Sequence, residues 1–134
     1  MIKRTLFLYL IIAIGIVSCV TEHSREAFNM SLEKYNHLVR WRDFDSAMLF
    51  TSASVSEEFR ERVIAARDSR ITDYQIVDVR YDDKAREAFA VVNFSYYVLT
   101  SGILASVTDY QKWAYVDEGG VKAWRLKSPL PEFR

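Results

Sequence analysis

Between Cys19 and Ser101 the chain contains neither glycine nor proline. These two residue types are the strongest local interrupters of regular structure. The whole stretch must therefore be built from helices and strands joined by turns of other residues. The pattern inside it changes once. Apolar residues recur at helical spacing up to about Asp68, and β-branched and aromatic residues dominate from Thr72 onward. Helices followed by strands indicate an α+β fold. Gly102 and the pair Gly119-Gly120 then fall where turns are needed, and Pro129 and Pro131 fall in a tail.

The first helix is expected from about Glu22 to Arg40. Phe28, Leu32, Tyr35 and Val39 make one apolar stripe, with Asn29, Glu33, Asn36 and Arg40 placed on the other side. Asp43 can cap a second, short helix from Phe44 to about Phe50 by accepting from free N–H groups of its first turn. Ser54 and Glu57 have capping-box spacing, which predicts a third helix from about Val55 to Asp68 with Phe59, Val63 and Ala66 inward. Its arginines, Arg60, Arg62 and Arg67, interleave with Glu57, Glu58 and Glu61 and read as a solvated face.

Four antiparallel strands follow: Thr72 to Tyr81, about Arg86 to Thr100, about Ile103 to Asp117, and Val121 to Lys127. The central pair are long against a usual five or six residues, so the sheet is expected to curve around the helices. A tight hairpin tip at Ser101-Gly102 would set Asn93 opposite Tyr110, Ser95 opposite Thr108 and Tyr97 opposite Ser106 on one face. The other face would carry Val92 opposite Gln111 and Phe94 opposite Asp109. Alternation leaves open which face lines the hollow, since one bulge exchanges them.

The N-terminus gives an address. Lys3 and Arg4 precede a 12-residue apolar run, Leu6 to Val17. A spanning helix needs about 20 apolar residues, so this run has the size of a secretion signal. An uncleaved signal anchor and ordinary cleavage without lipid are the alternatives. The run ends at Ile16-Val17-Ser18-Cys19, which resembles a bacterial lipoprotein lipobox. The resemblance implies cleavage of residues 1–18 and lipidation of Cys19, leaving 19–23 as a lipidated tether and 24–134 as one domain. Cys19 is the only cysteine, so no disulfide competes for it. Two or three acyl chains would anchor firmly where one anchors marginally. Val20 in place of Asp leans towards the outer membrane, facing the periplasm; in a Gram-positive source the address is the outer face of the cell membrane. Val20 to about Arg25 offers little to bury and is expected to be loose.

Cleavage would leave 116 residues, enough for one domain without disulfides, with 16 basic and 18 acidic residues. That balance argues against nucleic-acid binding.

The order of elements, and the junction Trp41-Arg42-Asp43-Phe44-Asp45-Ser46-Ala47, resemble the nuclear transport factor 2-like superfamily over about residues 24–127. In those proteins many relatives have glycine where Arg42 stands. The resemblance implies a cone-like roll: three helices packed in a curved four-stranded antiparallel sheet. It also implies frequent dimerisation through the open sheet face. A cystatin-like roll is the structural alternative. The superfamily hosts isomerases, dehydratases, hydrolases and pure binding modules, so fold does not choose among them.

No nucleophile constellation is visible, and His23 and His37 lack partners at ligand spacing, so neither a metal nor a cofactor is expected. The residues with chemical potential lie on the central strands. If the face bearing Phe94, Tyr96 and Trp113 lines the hollow, Asp109 enters an aromatic environment that raises its pKa and suits it to proton transfer. Tyr96, Gln111 and Trp113 would then contact a ligand, with Gln111 or Tyr96 positioning a substrate oxygen. Two functions are in view. The leading one is a non-catalytic envelope module for a partner protein or small apolar ligand, with a homodimer as one form of assembly. The competing one is a periplasmic acid–base enzyme. A hollow filled by its own side chains favours the first.

Overall fold

A computed structural model describes residues 23–134. The expected signal peptide, the lipobox-like run and Cys19 lie outside the described residues. Helix α1 is seen over 23–40, α2 over Phe44–Met48 and α3 over Ser56–Ala65, the last preceded by a single 3₁₀ turn, Ala53–Val55. The strands are β1 (Ser69–Asp82), β2 (Glu87–Val98), β3 (Leu104–Glu118) and β4 (Val121–Leu126). They form one antiparallel sheet in the order β1-β2-β3-β4, so every strand pairs with its neighbour in sequence. The fold is α+β, an open four-stranded antiparallel sheet preceded by helices.

The helical stripe packs as its spacing demands: Phe28, Leu32, Tyr35 and Val39 are all buried. Phe28 stands edge-on to Trp113 and Trp124, with centroids 5.8 and 5.1 Å away, and Tyr35 stands edge-on to Trp113 at 5.6 Å. Each such burial contributes about 2 kcal/mol, and the edge contacts add to it. The start of α1 is also held, which corrects the expectation of looseness as far as Arg25. Arg25 pairs with Asp83, and the Ser24 carbonyl accepts from Trp124 Nε1 at 3.0 Å.

Asp43 caps α2, its carboxylate accepting from Ser46 N at 3.2 Å. The Ser54–Glu57 capping box does not form. Val55 occupies the N-cap of α3 without a side-chain bond, and Ser54 Oγ donates to Ser52 Oγ at 3.2 Å instead. Helix α3 also ends three residues before the expected Asp68, and β1 begins three before Thr72. The cause lies far away in sequence. Arg42 Nη1 donates to the carbonyls of Ala66 (2.9 Å) and Ser69 (2.5 Å), sealing the helix end and the strand start together. Arg42 itself holds φ at 59°, in the left-handed region where a side chain is costly.

The β2–β3 register differs from a tight hairpin by two residues. Asn93 faces Thr108, Val92 faces Asp109, Phe94 faces Val107 and Ala90 faces Gln111. The connection spans 99–103, and the Val98 carbonyl accepts from both Ser101 N and Gly102 N at 3.1 and 2.8 Å. A slip of two leaves every side chain on its face. Ala88, Ala90, Val92, Phe94, Tyr96, Asp109, Gln111 and Trp113 are therefore together on the face that the helices cover. Strand β1 carries register shifts between Ile71 and Asp73 and between Ile76 and Asp78, which restore its apolar residues to that face.

The tail is not loose. After β4 the chain folds back across the mouth between α3 and the sheet, burying Leu130 and Phe133.

Candidate functional site

Asp109, Gln111 and Trp113 alternate along β3 and so share the covered face, where α1 brings Asn36 and Tyr35 against them. Gln111 is the hub. Its Nε2 donates to Asp109 Oδ2 and to Asn36 Oδ1, both at 2.8 Å. Its Oε1 accepts from Trp113 Nε1 at 3.2 Å. Asn36 Nδ2 donates to the Leu32 carbonyl at 2.8 Å, one turn back. Both amides are therefore spent on internal bonds, as buried amides require.

Two groups in the cluster are not quiet. Asp109 is 5% exposed, and burial pushes its pKa from the ordinary 3.8 up to about 7, against the Gln111 hydrogen bond and the Arg62 charge, which pull it down. The Tyr35 hydroxyl is buried and, among the described residues, has no hydrogen-bond partner. Burial, and then the negative charge of Asp109, raise its pKa well above the usual phenol. A buried carboxyl that changes charge near neutrality is chemically capable of moving a proton.

The structure gathers Gln111 and Trp113 at Asp109 and leaves Tyr96 out. The Tyr96 hydroxyl donates to the backbone oxygen of Arg134 at 2.7 Å, and its ring packs on Phe133 at 5.4 Å. Asn36 and Tyr35 are the members that sequence reasoning misses. Asn36, expected on the solvent side, is fully buried. It lies eight residues after Phe28 and four after Leu32, which puts it on the edge of the same stripe; its polarity conceals the position. Arg62, expected on a solvated face, pairs with Glu58 at 2.7 Å but also donates to the Leu130 carbonyl at 3.0 Å.

The chain matches no protein-family model, no curated protein and no solved structure.

Large side chains pack the hollow around the cluster, and a groove lined by Asp109, Arg62, Thr108, Pro129 and Leu130 opens beside it. Trp113, Tyr35, Phe28, Phe59, Phe94 and Leu130 are among the largest completely buried side chains. Among the described residues no three His, Cys, Asp or Glu side chains converge to hold a metal ion, and no helix is long and apolar enough to cross a membrane.

Among the described residues, nothing covers the opposite face of the sheet. Phe89, Val91 and Tyr97 on β2 and Leu104 and Tyr110 on β3 alternate out of the core. Tyr110 is 73% exposed, Leu104 67% and Phe89 43%. Between them Thr108 Oγ1 donates to Asn93 Oδ1 at 2.9 Å across the strands. Acids on β1, Asp73 and Asp78, flank this surface on one side, and Lys112 on β3 flanks it on the other.

Proposed function

We propose that this chain is a lipid-anchored protein of the cell envelope, held by Cys19 at the periplasmic side of the outer membrane or, in a Gram-positive source, at the outer face of the cell membrane. Its domain is a non-catalytic assembly module of the nuclear transport factor 2-like, cone-shaped kind. It binds a second copy or a partner protein through the open face of its sheet. The observation that carries this reading is the contrast between the two faces: the hollow is packed with side chains, whereas Phe89, Leu104 and Tyr110 stand uncovered. Exposed apolar patches of this kind mark interaction surfaces. The two β1 bulges, which bend and twist a strand, support a curved sheet. The left-handed backbone at Arg42, where many members of that superfamily have glycine, supports the resemblance.

Sedimentation of the chain with and without Tyr110→Lys and Leu104→Glu tests the reading. A dimer, or a complex with an envelope partner, that is lost in both variants while the circular dichroism spectrum is kept is the expected result. A chain that stays monomeric and captures nothing at high concentration would overturn it.

A second reading rests on its own observation. Asp109, shifted to about 7 and lining a groove with Arg62 and Thr108, supports an acid–base site for a small ligand held in that groove.

A further inference from the structure

Residues 128–134, the strap that follows β4, are held as a bound peptide is held. Among the described residues, no backbone-to-backbone hydrogen bond joins them to the rest of the chain; the last is Lys127 N to the Lys112 carbonyl, 2.7 Å. Their attachment is made by side chains instead. Arg62 Nη1, Ser69 Oγ and Tyr96 Oη donate to the backbone oxygens of Leu130, Phe133 and Arg134, at 3.0, 2.5 and 2.7 Å. Leu130 is 0% exposed and Phe133 2%. The Phe133 ring stands edge-on to Phe94 at 5.6 Å and to Tyr96 at 5.4 Å. Glu132 Oε1 lies 3.9 Å from Arg62 Nη1.

Aromatic-lined grooves also take extended, proline-containing segments. Pro129 and Pro131 have no N–H to offer a sheet edge, and their fixed φ lowers the cost of ordering an extended chain. Two apolar anchors three residues apart fill the groove, an acid faces its arginine, and backbone carbonyls meet three donors.

We propose that this groove is a recognition site for an extended, proline-containing segment of a partner protein, with a Leu-Pro-acidic-Phe pattern, and that residues 128–134 are its resident competitor. A free partner segment fits better than the strap of a second copy. Three residues from Lys127 to Leu130 reach only about 10 Å, so exchange between copies would require their β4 ends almost in contact. The strap borders the open sheet face at Thr108 and Tyr110, which line one groove with Pro129, Leu130 and Pro131, but its anchors Leu130 and Phe133 are buried on the covered side.

The test uses the full chain and a dye-labelled peptide with the sequence of residues 128–134, followed by fluorescence anisotropy. Wild-type chain should bind weakly, because only the fraction with its own strap released can accept the peptide. Phe133→Ala in the chain should strengthen saturable binding at least tenfold, and the same substitution in the peptide should abolish it. Leu104→Glu, on the open face and away from the strap, should leave binding unchanged, so that failure of the open-face reading and failure of this one are told apart. If Phe133→Ala loses its native circular dichroism, Pro129→Gly, which weakens the resident strap and leaves the groove intact, replaces it. A folded strap variant that binds no peptide overturns the proposal. So does a peptide that binds only by dissociating a dimer of the chain, since the groove would then serve a second copy.

Discussion

Replacing Asp109 with asparagine removes a buried group that titrates near neutrality and keeps its shape. In the unfolded chain an aspartate titrates near 3.9; in the folded protein burial holds Asp109 at about 7. The folded state therefore binds a proton that the unfolded state has lost across that whole interval. Stability rises with pH only where the unfolded state binds more protons, so here it falls. The contribution is fully present below pH 4, declines by about 1.4 kcal/mol per pH unit, and levels off above pH 7 after a total loss of about 4 kcal/mol. The asparagine amide can still accept from Gln111 Nε2 and does not titrate. Urea unfolding of wild type and Asp109→Asn at pH 4, 5, 6, 7 and 8 isolates the term, because every other ionisation cancels in the difference. The variant should gain on wild type steadily from pH 4 to 7, by about 4 kcal/mol in all, and no further. A difference that is flat across the series within about 0.5 kcal/mol would refute the burial argument and remove the acid from the second functional reading.

Cys19→Ala should block lipid attachment; metabolic labelling with a fatty acid that still marks the variant would defeat the envelope anchor. Arg42→Ala should destabilise more than Arg42→Gly, by about 1 kcal/mol in urea unfolding, because both lose the bonds to Ala66 and Ser69 but glycine relieves the positive φ. Trp113→Phe should cost about 2 kcal/mol in the same assay, since it leaves Gln111 Oε1 short of a buried donor. Tyr110→Lys should leave the thermal midpoint within a few degrees of wild type, as an exposed side chain contributes little to folding.

Much of the site is legible in the sequence. Alternation along β2 and β3 groups Phe94, Tyr96, Asp109, Gln111 and Trp113 on one face, and that grouping survives an incorrect register. The hairpin connection is longer than the tight tip expected, but it moves the pairing by two residues, and side chains repeat every two. A slip of one would have turned the whole set outward. Asn36 escapes for the opposite reason. Its position on the stripe is correct for burial, but a polar residue reads as exposed unless its partner is known, and Gln111 comes 75 positions later.

What the sequence determines by itself here is local: the run of residues without glycine or proline, the switch from helical spacing to alternation, the Asp43 cap and the order of the four strands. Each rests on residues within a turn or two of one another, where stereochemistry acts without the rest of the fold. The tertiary structure alone decided where α3 stops, which face of the sheet is covered, how far Asp109 is desolvated and what becomes of the segment after β4. Those outcomes depend on groups brought together from distant points of the chain: Arg42 on the carbonyls of Ala66 and Ser69, Tyr35 and Asn36 over β3, and Phe133 between Phe94 and Tyr96. Burial and long-range hydrogen bonds exist only once the packing does, and they set both the charge state of the candidate site and the fit of the strap that covers its mouth.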